Sequence, residues 1–312
     1  MMPQHTYSSN AKLLLTGEYL VLRGAKALAL PLLKTQTLEL YTDEGSGHPF
    51  IAWQANAPSG RIWFKTLFEL PTLDIISSTH PAGSAKLQMI LLTLQQLRPD
   101  IFGTNQSFRV RTQLDFEPEW GLGTSSTLIA NLAKWAQVDP FTLLQYSIGG
   151  SGYDIACASA KKPIFFQRGH VKPAIENAAF KPNFADQLYF VYLGQKKDSS
   201  QGIRDFNQRT EDLSLEEEVK IVSNISVEAA HTKDFNCFVE LMEQHEALLS
   251  ALLQLPTVKT QFPDFSGSLK SLGAWGGDFM LAMTSEKPEY VHQYFKEKGS
   301  EIVFNYNDLV RQ

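Results

Sequence analysis

Cysteine is almost absent: two residues, Cys157 and Cys237, in a chain of 312. They stand far apart and in no metal-ligand spacing, which excludes a disulfide scaffold and a cysteine zinc site and leaves two reduced thiols. Long apolar runs are also missing. Residues 13–22 come nearest, but Gly17 and Glu18 break them. They read as neither a signal peptide nor a membrane span, so a cytoplasmic protein with no membrane partner is expected. Positive charge is not in excess. The formal net charge is −5, which argues against a general nucleic-acid binder. The seven histidines are scattered, with no metal pattern. Gly150-Ser151-Gly152 does not make the Gly-X-Ser-X-Gly elbow of a serine hydrolase. Repeats and low-complexity tracts are lacking too.

What the chain does have is 43% hydrophobic and 20% charged residues, the balance of a globular protein with material for a large core or two domains. Residues 108–116 alternate apolar and polar, the period of a half-buried strand. From Leu128 to Ala136 the apolar residues recur at helical spacing. Between the two lies Glu117-Pro118-Glu119-Trp120-Gly121-Leu122-Gly123-Thr124-Ser125-Ser126. Glycines there let the backbone turn and approach a ligand. Hydroxyls follow where a helix start exposes unpaired N–H groups and the positive end of its dipole, a setting that suits phosphate. No Gly-Lys-Ser/Thr follows, so the loop is not a Walker A loop. Ser126 stands where a dinucleotide fingerprint has its third glycine. A helix simply capped by Thr124 or Ser125 is the plainer reading.

Elsewhere the patterning predicts short strands over 12–16 and 19–22 around a Gly17-Glu18 turn, then β structure over 27–34 and 35–41. It predicts a hairpin of 51–54 with 61–64 and a helix over 85–97. Strands are expected over 164–166, 188–193, 279–283 and 301–304. Helical residues are expected over 213–255, with a break near Asp234, and over 290–298. Two further glycine clusters, Gly149-Gly150-Ser151-Gly152 and Gly273-Ala274-Trp275-Gly276-Gly277-Asp278, suggest three backbone turns gathered on a bulky anion. Asp154, just after the second cluster, is a candidate proton acceptor or an ordinary first-turn acid. Lys12, in an apolar strand, is a candidate phosphate cation or a solvent-facing lysine. Glu18 orients a substrate or metal, or caps its turn. Ser125 coordinates Mg²⁺ or caps a helix.

Taken together and in order, the three clusters resemble the GHMP small-molecule kinases. Asn10-Ala11-Lys12-Leu13-Leu14-Leu15-Thr16-Gly17-Glu18-Tyr19 is similar to their first motif, residues 118–126 to their ATP phosphate loop, and residues 273–278 to their C-terminal glycine loop. Gly17-Glu18-Tyr19, Gly150-Ser151-Gly152-Tyr153-Asp154-Ile155-Ala156 and Gly276-Gly277-Asp278 lean toward the mevalonate branch, phosphomevalonate kinases above all. The middle string also resembles a bacterial subgroup known by that motif.

The resemblance implies an α+β, two-domain fold. An N-terminal ribosomal-protein-like α/β domain with a left-handed βαβ crossover would span 1–180, and a C-terminal ferredoxin-like domain 181–312. It implies ATP and Mg²⁺, and a small-molecule acceptor, mevalonate or phosphomevalonate. Lys12 and Asp154 would be the catalytic pair. Gly121, Leu122, Gly123, Thr124, Ser125, Ser126, Gly276 and Gly277 would hold the nucleotide, with Ser125 on the metal. Glu18, Ser199 and Ser200 would lie near the acceptor. A homodimer contact through the C-terminal helices is a hypothesis. The chain departs from the family pattern in three places. Asn10-Ala11 replaces Pro-Gly, Trp275 replaces a glycine and is expected to crowd its loop, and residues 142–148 lack the metal-binding acid of mevalonate kinases. Rival readings are a kinase for a sugar, homoserine or shikimate, a mevalonate diphosphate decarboxylase, and a non-catalytic nucleotide-binding regulator.

Overall fold

The computed structural model describes residues 2–44, 47–103, 106–169, 171–194 and 199–312. Two compact units divide them. The first comprises Met1–Ala11, Lys34–Pro118 and Leu122–Ser159; the second comprises Lys12–Leu33, Glu119–Gly121 and Ala160–Gln312.

Two long strands, β1 (His5–Thr16) and β2 (Ala27–Glu44), contribute residues to both units. The first unit adds β3 (Phe50–Asn56), β4 (Ile62–Glu69), β5 (Ile75–Ser78), α1 (Pro81–Leu97), β6 (Gln106–Leu114), α2 (Thr124–Ala136), α3 (Pro140–Tyr146) and α4 (Tyr153–Ser159). Its sheet runs β5-β4-β3-β6-β2, and β1 also pairs with β2. The β3–β6 pair is parallel, while β2–β6, β3–β4 and β4–β5 are antiparallel. Alternation decides the two faces. Leu38, Leu40, Ile51, Trp53, Phe64, Phe68, Phe108 and Val110 point into one core with residues of α1, α2 and α3. Helix α1 forms because Leu87, Ile90, Leu91 and Leu94 fall on one buried stripe. Pro81 opens it, and His80 Nδ1 accepts from the Gly83 N–H (2.9 Å).

The second unit adds β7 (Ile164–Gln167), β8 (Ala174–Asn177), β9 (Leu188–Tyr192), α5 (Ser199–Arg209), α6 (Glu216–His231), α7 (Phe235–Leu253), β10 (Ser268–Leu272), β11 (Phe279–Met283), α8 (Pro288–Glu297), β12 (Val303–Asn305) and α9 (Tyr306–Leu309). Here β2 pairs with β7 over Ala27–Ala29, and β7 with β8. From β9 onward the order is β-ααα-β-β-α-β-α, with three helices where the β-α-β-β-α-β pattern has its first one. Its sheet runs β10-β11-β9-β12 with every pair antiparallel. That is the ferredoxin-like arrangement expected for the C-terminal part. Asp234, where the long helical stretch was expected to break, is the N-cap of α7, its Oδ1 accepting from the Cys237 N–H (2.9 Å). Among the described residues no helix is long and apolar enough to cross a membrane.

Two local expectations change. Residues 19–22 are not a strand: Leu20–Arg23 is a 3-10 helix. Gly17 at φ 96° and Tyr19 at φ 61° turn the chain out of β1. The apolar run that mimicked a strand is buried instead among Phe206, Val222, Leu249 and Leu253. The two β segments expected over 27–34 and 35–41 are one strand, β2.

A buried polar chain ties β1, β2 and α2 in the first unit. Ser9 Oγ donates to Asn131 Oδ1 (2.7 Å), Asn131 Nδ2 to the Gln36 carbonyl (2.9 Å), and Thr127 Oγ1 to Gln36 Oε1 (2.8 Å). Asn131 is completely buried, so Asn131→Ala takes away the acceptor of the Ser9 hydroxyl and the side-chain donor to the Gln36 carbonyl. A loss of about 2–4 kcal/mol is expected in urea unfolding.

Candidate active site

Residue 121 sits at the centre of the candidate site in the second unit. Lys12 Nζ donates to the Gly121 carbonyl (3.1 Å). Gly121 has φ +67°, and a Cβ there would collide with the Asp278 carboxylate. Glycine is therefore required on two counts, backbone conformation and the close approach of Asp278. Lys12 is half-buried and Asp278 is 6% exposed. The ammonium comes from β1 and the carboxylate from the turn before β11.

The rest of the glycine loop belongs to the first unit. Gly123 is the N-cap of α2, at φ 100°, and no side chain caps the helix. Capping by Thr124 or Ser125, the plainer sequence reading, is thus not what occurs. Ser126 Oγ (2.8 Å) and Thr127 Oγ1 (3.0 Å) turn back to the Gly123 carbonyl. The N–H groups of the first turn have no helical acceptor, as at any helix start. Lys86 Nζ of α1 donates to Ser125 Oγ (2.9 Å). No motif or spacing singles out Lys86, which lies on the polar side of an ordinary amphipathic helix. Leu122 is buried and Thr124 half-buried.

Asp154 lies half-buried in the first turn of α4, its Oδ1 accepting from the Ile155 N–H (3.0 Å). In the same unit Asn10 Nδ2 donates to the Cys157 carbonyl of α4 (3.4 Å). Asn10 thus fastens β1 to the helix bearing Asp154. Ser199 and Ser200 open α5, and their side chains lie outside the described residues.

Around the third glycine cluster, Trp275 does not crowd the turn. Its indole Nε1 donates to the Pro256 carbonyl (3.1 Å), and its backbone N–H donates to Tyr19 Oη (3.0 Å). Tyr19 in turn stacks on Phe206, with ring centroids 5.2 Å apart. Trp275 is therefore a peg that anchors the loop. Gly276, at φ 74°, has open space where a Cβ would stand, and the Gly277 N–H donates to the Ala274 carbonyl (3.1 Å).

Glu18 departs from the acceptor contact expected of it. It is 3% exposed, and its Oε1 accepts from Lys270 Nζ (2.7 Å). Lys270 is fully buried and also donates to the Ser271 carbonyl (2.8 Å). His245 Nε2 accepts from the Gly17 N–H (2.8 Å) and lies 3.4 Å from Glu18 Oε2. Burial, aided by the Lys270 charge, lowers the His245 pKa well below its usual value, so the imidazole is neutral with its proton on Nδ1. Glu246 completes the cluster, accepting from Ser271 N (3.0 Å), Ser271 Oγ (2.9 Å) and Val258 N (3.0 Å). Lys270 was missed in the sequence, although a lysine inside the apolar strand β10 is the same anomaly that singled out Lys12.

Set beside solved structures, the chain aligns along nearly its whole length with three kinases. L. major mevalonate kinase in complex with R-mevalonate matches with TM-score 0.67 and 16% identity, over 99% of this chain and 96% of that one. Streptococcus pneumoniae phosphomevalonate kinase in complex with phosphomevalonate and AMPPNP matches with TM-score 0.69 and 16% identity, over 96% and 99%. Lactococcus lactis galactokinase complexed with galactose matches with TM-score 0.65 and 13% identity, over 99% and 94%. The chain has the GHMP kinase fold. No protein-family model matches the sequence, and no curated protein sequence matches it either. Within the GHMP kinase fold, the Gly17-Glu18-Tyr19 turn is held in this chain by a buried ion pair.

Burial raises the Glu18 pKa to about 7 from 4.5, against the opposing pull of Lys270. The folded state therefore holds this proton more tightly than the unfolded one. Its contribution to stability is full below pH 4.5 and is lost as pH rises toward about 7. Urea midpoints at pH 5 and pH 8 are expected to show this decline in the wild type. In Glu18→Gln, which cannot titrate, the decline attributable to this group disappears.

Proposed function

We propose that this chain is an ATP-dependent small-molecule kinase of the mevalonate branch, with mevalonate or phosphomevalonate as the acceptor. One observation carries the reading: the Lys12 ammonium bonded to the carbonyl of Gly121, at the head of a glycine loop that runs into the uncapped N-terminus of α2. A helix start without a side-chain cap, its hydroxyls turned away from its amides, suits phosphate, and a lysine on the carbonyl of the loop's first glycine suits the same charge. The fold shared with kinases that act on mevalonate, phosphomevalonate and galactose supports the same class. The Gly276-Gly277-Asp278 and Gly152-Tyr153-Asp154 strings favour the mevalonate branch among them.

In this reading residues 121–126 hold the ATP phosphates through backbone N–H groups, and Gly276 and Gly277 line the nucleotide side. Lys86, next to Ser125, adds a second cation. Phosphoryl transfer asks the protein for positioning and charge more than for covalent chemistry. The acceptor oxygen bonds to the γ-phosphorus, the bond to the β–γ bridging oxygen breaks, and ADP leaves with that oxygen. Asp154 takes the acceptor's proton, and Lys12 offsets the negative charge spread over the transferring group.

Ser125 is the side chain that would hold Mg²⁺ in this reading. Among the described residues no group of three His, Cys, Asp or Glu is placed to hold a metal, and Mg²⁺ is commonly held by few protein oxygens together with substrate phosphates and water. Bound through Ser125 and the phosphates, Mg²⁺ would neutralise charge on the β and γ groups. Ser199 and Ser200 are assigned to the acceptor side.

Coupled detection of ADP, with mevalonate and phosphomevalonate assayed side by side, tests the reading. One of them is expected to drive ADP release, and Asp154→Asn is expected to lower kcat by roughly 10²–10⁴-fold with little change in ATP affinity. Release with neither acceptor, or full turnover in Asp154→Asn, would reject it.

A further inference from the structure

The first unit carries a groove of about 740 Å³ on the face of its sheet opposite the core. None of the residues assigned above to phosphoryl transfer lines it. Strand register orders its floor into rows. One row runs Glu39, Arg111, Gln54, Lys65 across β2, β6, β3 and β4. The neighbouring row runs Tyr41, Arg109, Ala52, Leu67. The first row is polar, with one acid and two cations, and the second supplies an apolar floor at Ala52 and Leu67 beside the Tyr41 ring.

Charge separates the two ends of the groove. On the β2 side the acids are already engaged: Asp43 Oδ2 accepts from Arg109 Nε (2.6 Å), and Glu39 Oε2 from the Tyr41 hydroxyl (3.0 Å). Arg111 and Lys65 differ. Both are exposed, and among the described residues neither is in an ion pair with an acid. Asn56 is 1% exposed. With the Asn56 amide turned so that its carbonyl faces Arg111, it accepts from Arg111 Nε (2.7 Å) and from a terminal guanidinium nitrogen (3.2 Å), in place of the bond from Gln54 Nε2 (3.0 Å) that the opposite orientation makes. A neutral amide thus fixes the fork without cancelling its charge. Two strand spacings, roughly 10 Å, separate the Arg111 and Lys65 backbones, a span that two long side chains close onto one small anion.

We propose that this groove is a second ligand site, for a small organic phosphate whose phosphoryl group sits between Arg111 and Lys65 and whose short apolar body lies over Ala52 and Leu67. The size suits a small molecule, since such sites run to about 300–1,000 Å³. A fixed guanidinium fork and an ammonium, with the Gln54 amide between them, match the several oxygens of a dianion. A nucleic acid is disfavoured, because among the described residues only two cations outside ion pairs line the groove and the chain carries a net charge of −5. A second copy of the chain docking symmetrically through this face would set like charges against each other.

Phenyl phosphate is the probe, titrated calorimetrically into the full chain. Binding is expected in the wild type. It is expected to weaken by about tenfold or more in Arg111→Gln and in Lys65→Gln, to recover in part in Arg111→Lys, and to stay unchanged in Lys12→Ala. Lys65 is exposed and, among the described residues, in no ion pair, so Tm is expected to stay at its wild-type value in Lys65→Gln, whereas Arg111→Gln withdraws the donors of the buried Asn56 carbonyl and is expected to lower it. Absence of binding, equal affinity in every variant, or a loss confined to Lys12→Ala would overturn the site. So would self-association of the wild type that the double variant Lys65→Gln, Arg111→Gln abolishes. The phosphoryl-transfer assay reads none of these outcomes, so failure of one proposal leaves the other standing.

Discussion

The contact on which the candidate site depends is the bond from the Lys12 ammonium to the carbonyl of Gly121. It places a positive charge at the first residue of the glycine loop and fixes which way that peptide faces. The geometry is narrow because residue 121 has no room for a side chain. Its φ is positive, and the Asp278 carboxylate packs against its Cα. Cation, glycine and carboxylate are drawn from β1, the loop and the turn before β11, so none of the three can shift without displacing another.

Behind Lys12, the turn that ends β1 rests on buried charge. Glu18, Lys270 and Glu246 are all within 3% of full burial, with neutral His245 between them. Taking such groups out of water costs several kcal/mol each, and ion pairing offsets that only when the geometry is close to ideal. An apolar cluster would hold the turn as firmly. What the ion pair adds is direction: Glu18 Oε1 meets Lys270 at 2.7 Å, and the Gly17 N–H meets His245 at 2.8 Å. Tyr19, the next residue, is thereby delivered to the backbone of the Trp275 loop.

Much of this was legible in the residues. Strand β6 and helix α2 follow from strict periodicity, as do α1, the β3–β4 hairpin and the break at Asp234, because local pattern and final burial agree there. Residues 19–22 misled because a short apolar run has no period of its own, and positive φ at Gly17 and Tyr19 chose a 3-10 turn over a strand. Among the site residues, Lys12 announced itself by sitting in an apolar strand, and Gly121 by its motif. Lys86 could not be found, because its importance is a contact with Ser125 that no spacing encodes. Glu18 was visible as a motif residue, but its burial was not, since its partners lie more than two hundred residues along the chain. Trp275 looked like an obstruction. Only the path of its indole to the Pro256 carbonyl shows it to be an anchor.

The claim that everything functional rests on is that Lys12 faces the phosphates of a nucleotide. Single-turnover transfer of labelled γ-phosphate from ATP to the acceptor, compared between wild type and Lys12→Met, measures it most directly. The account expects the rate to fall by about a hundredfold or more while the folded fraction stays unchanged. Transfer within twofold of wild type in a fully folded Lys12→Met protein would contradict it.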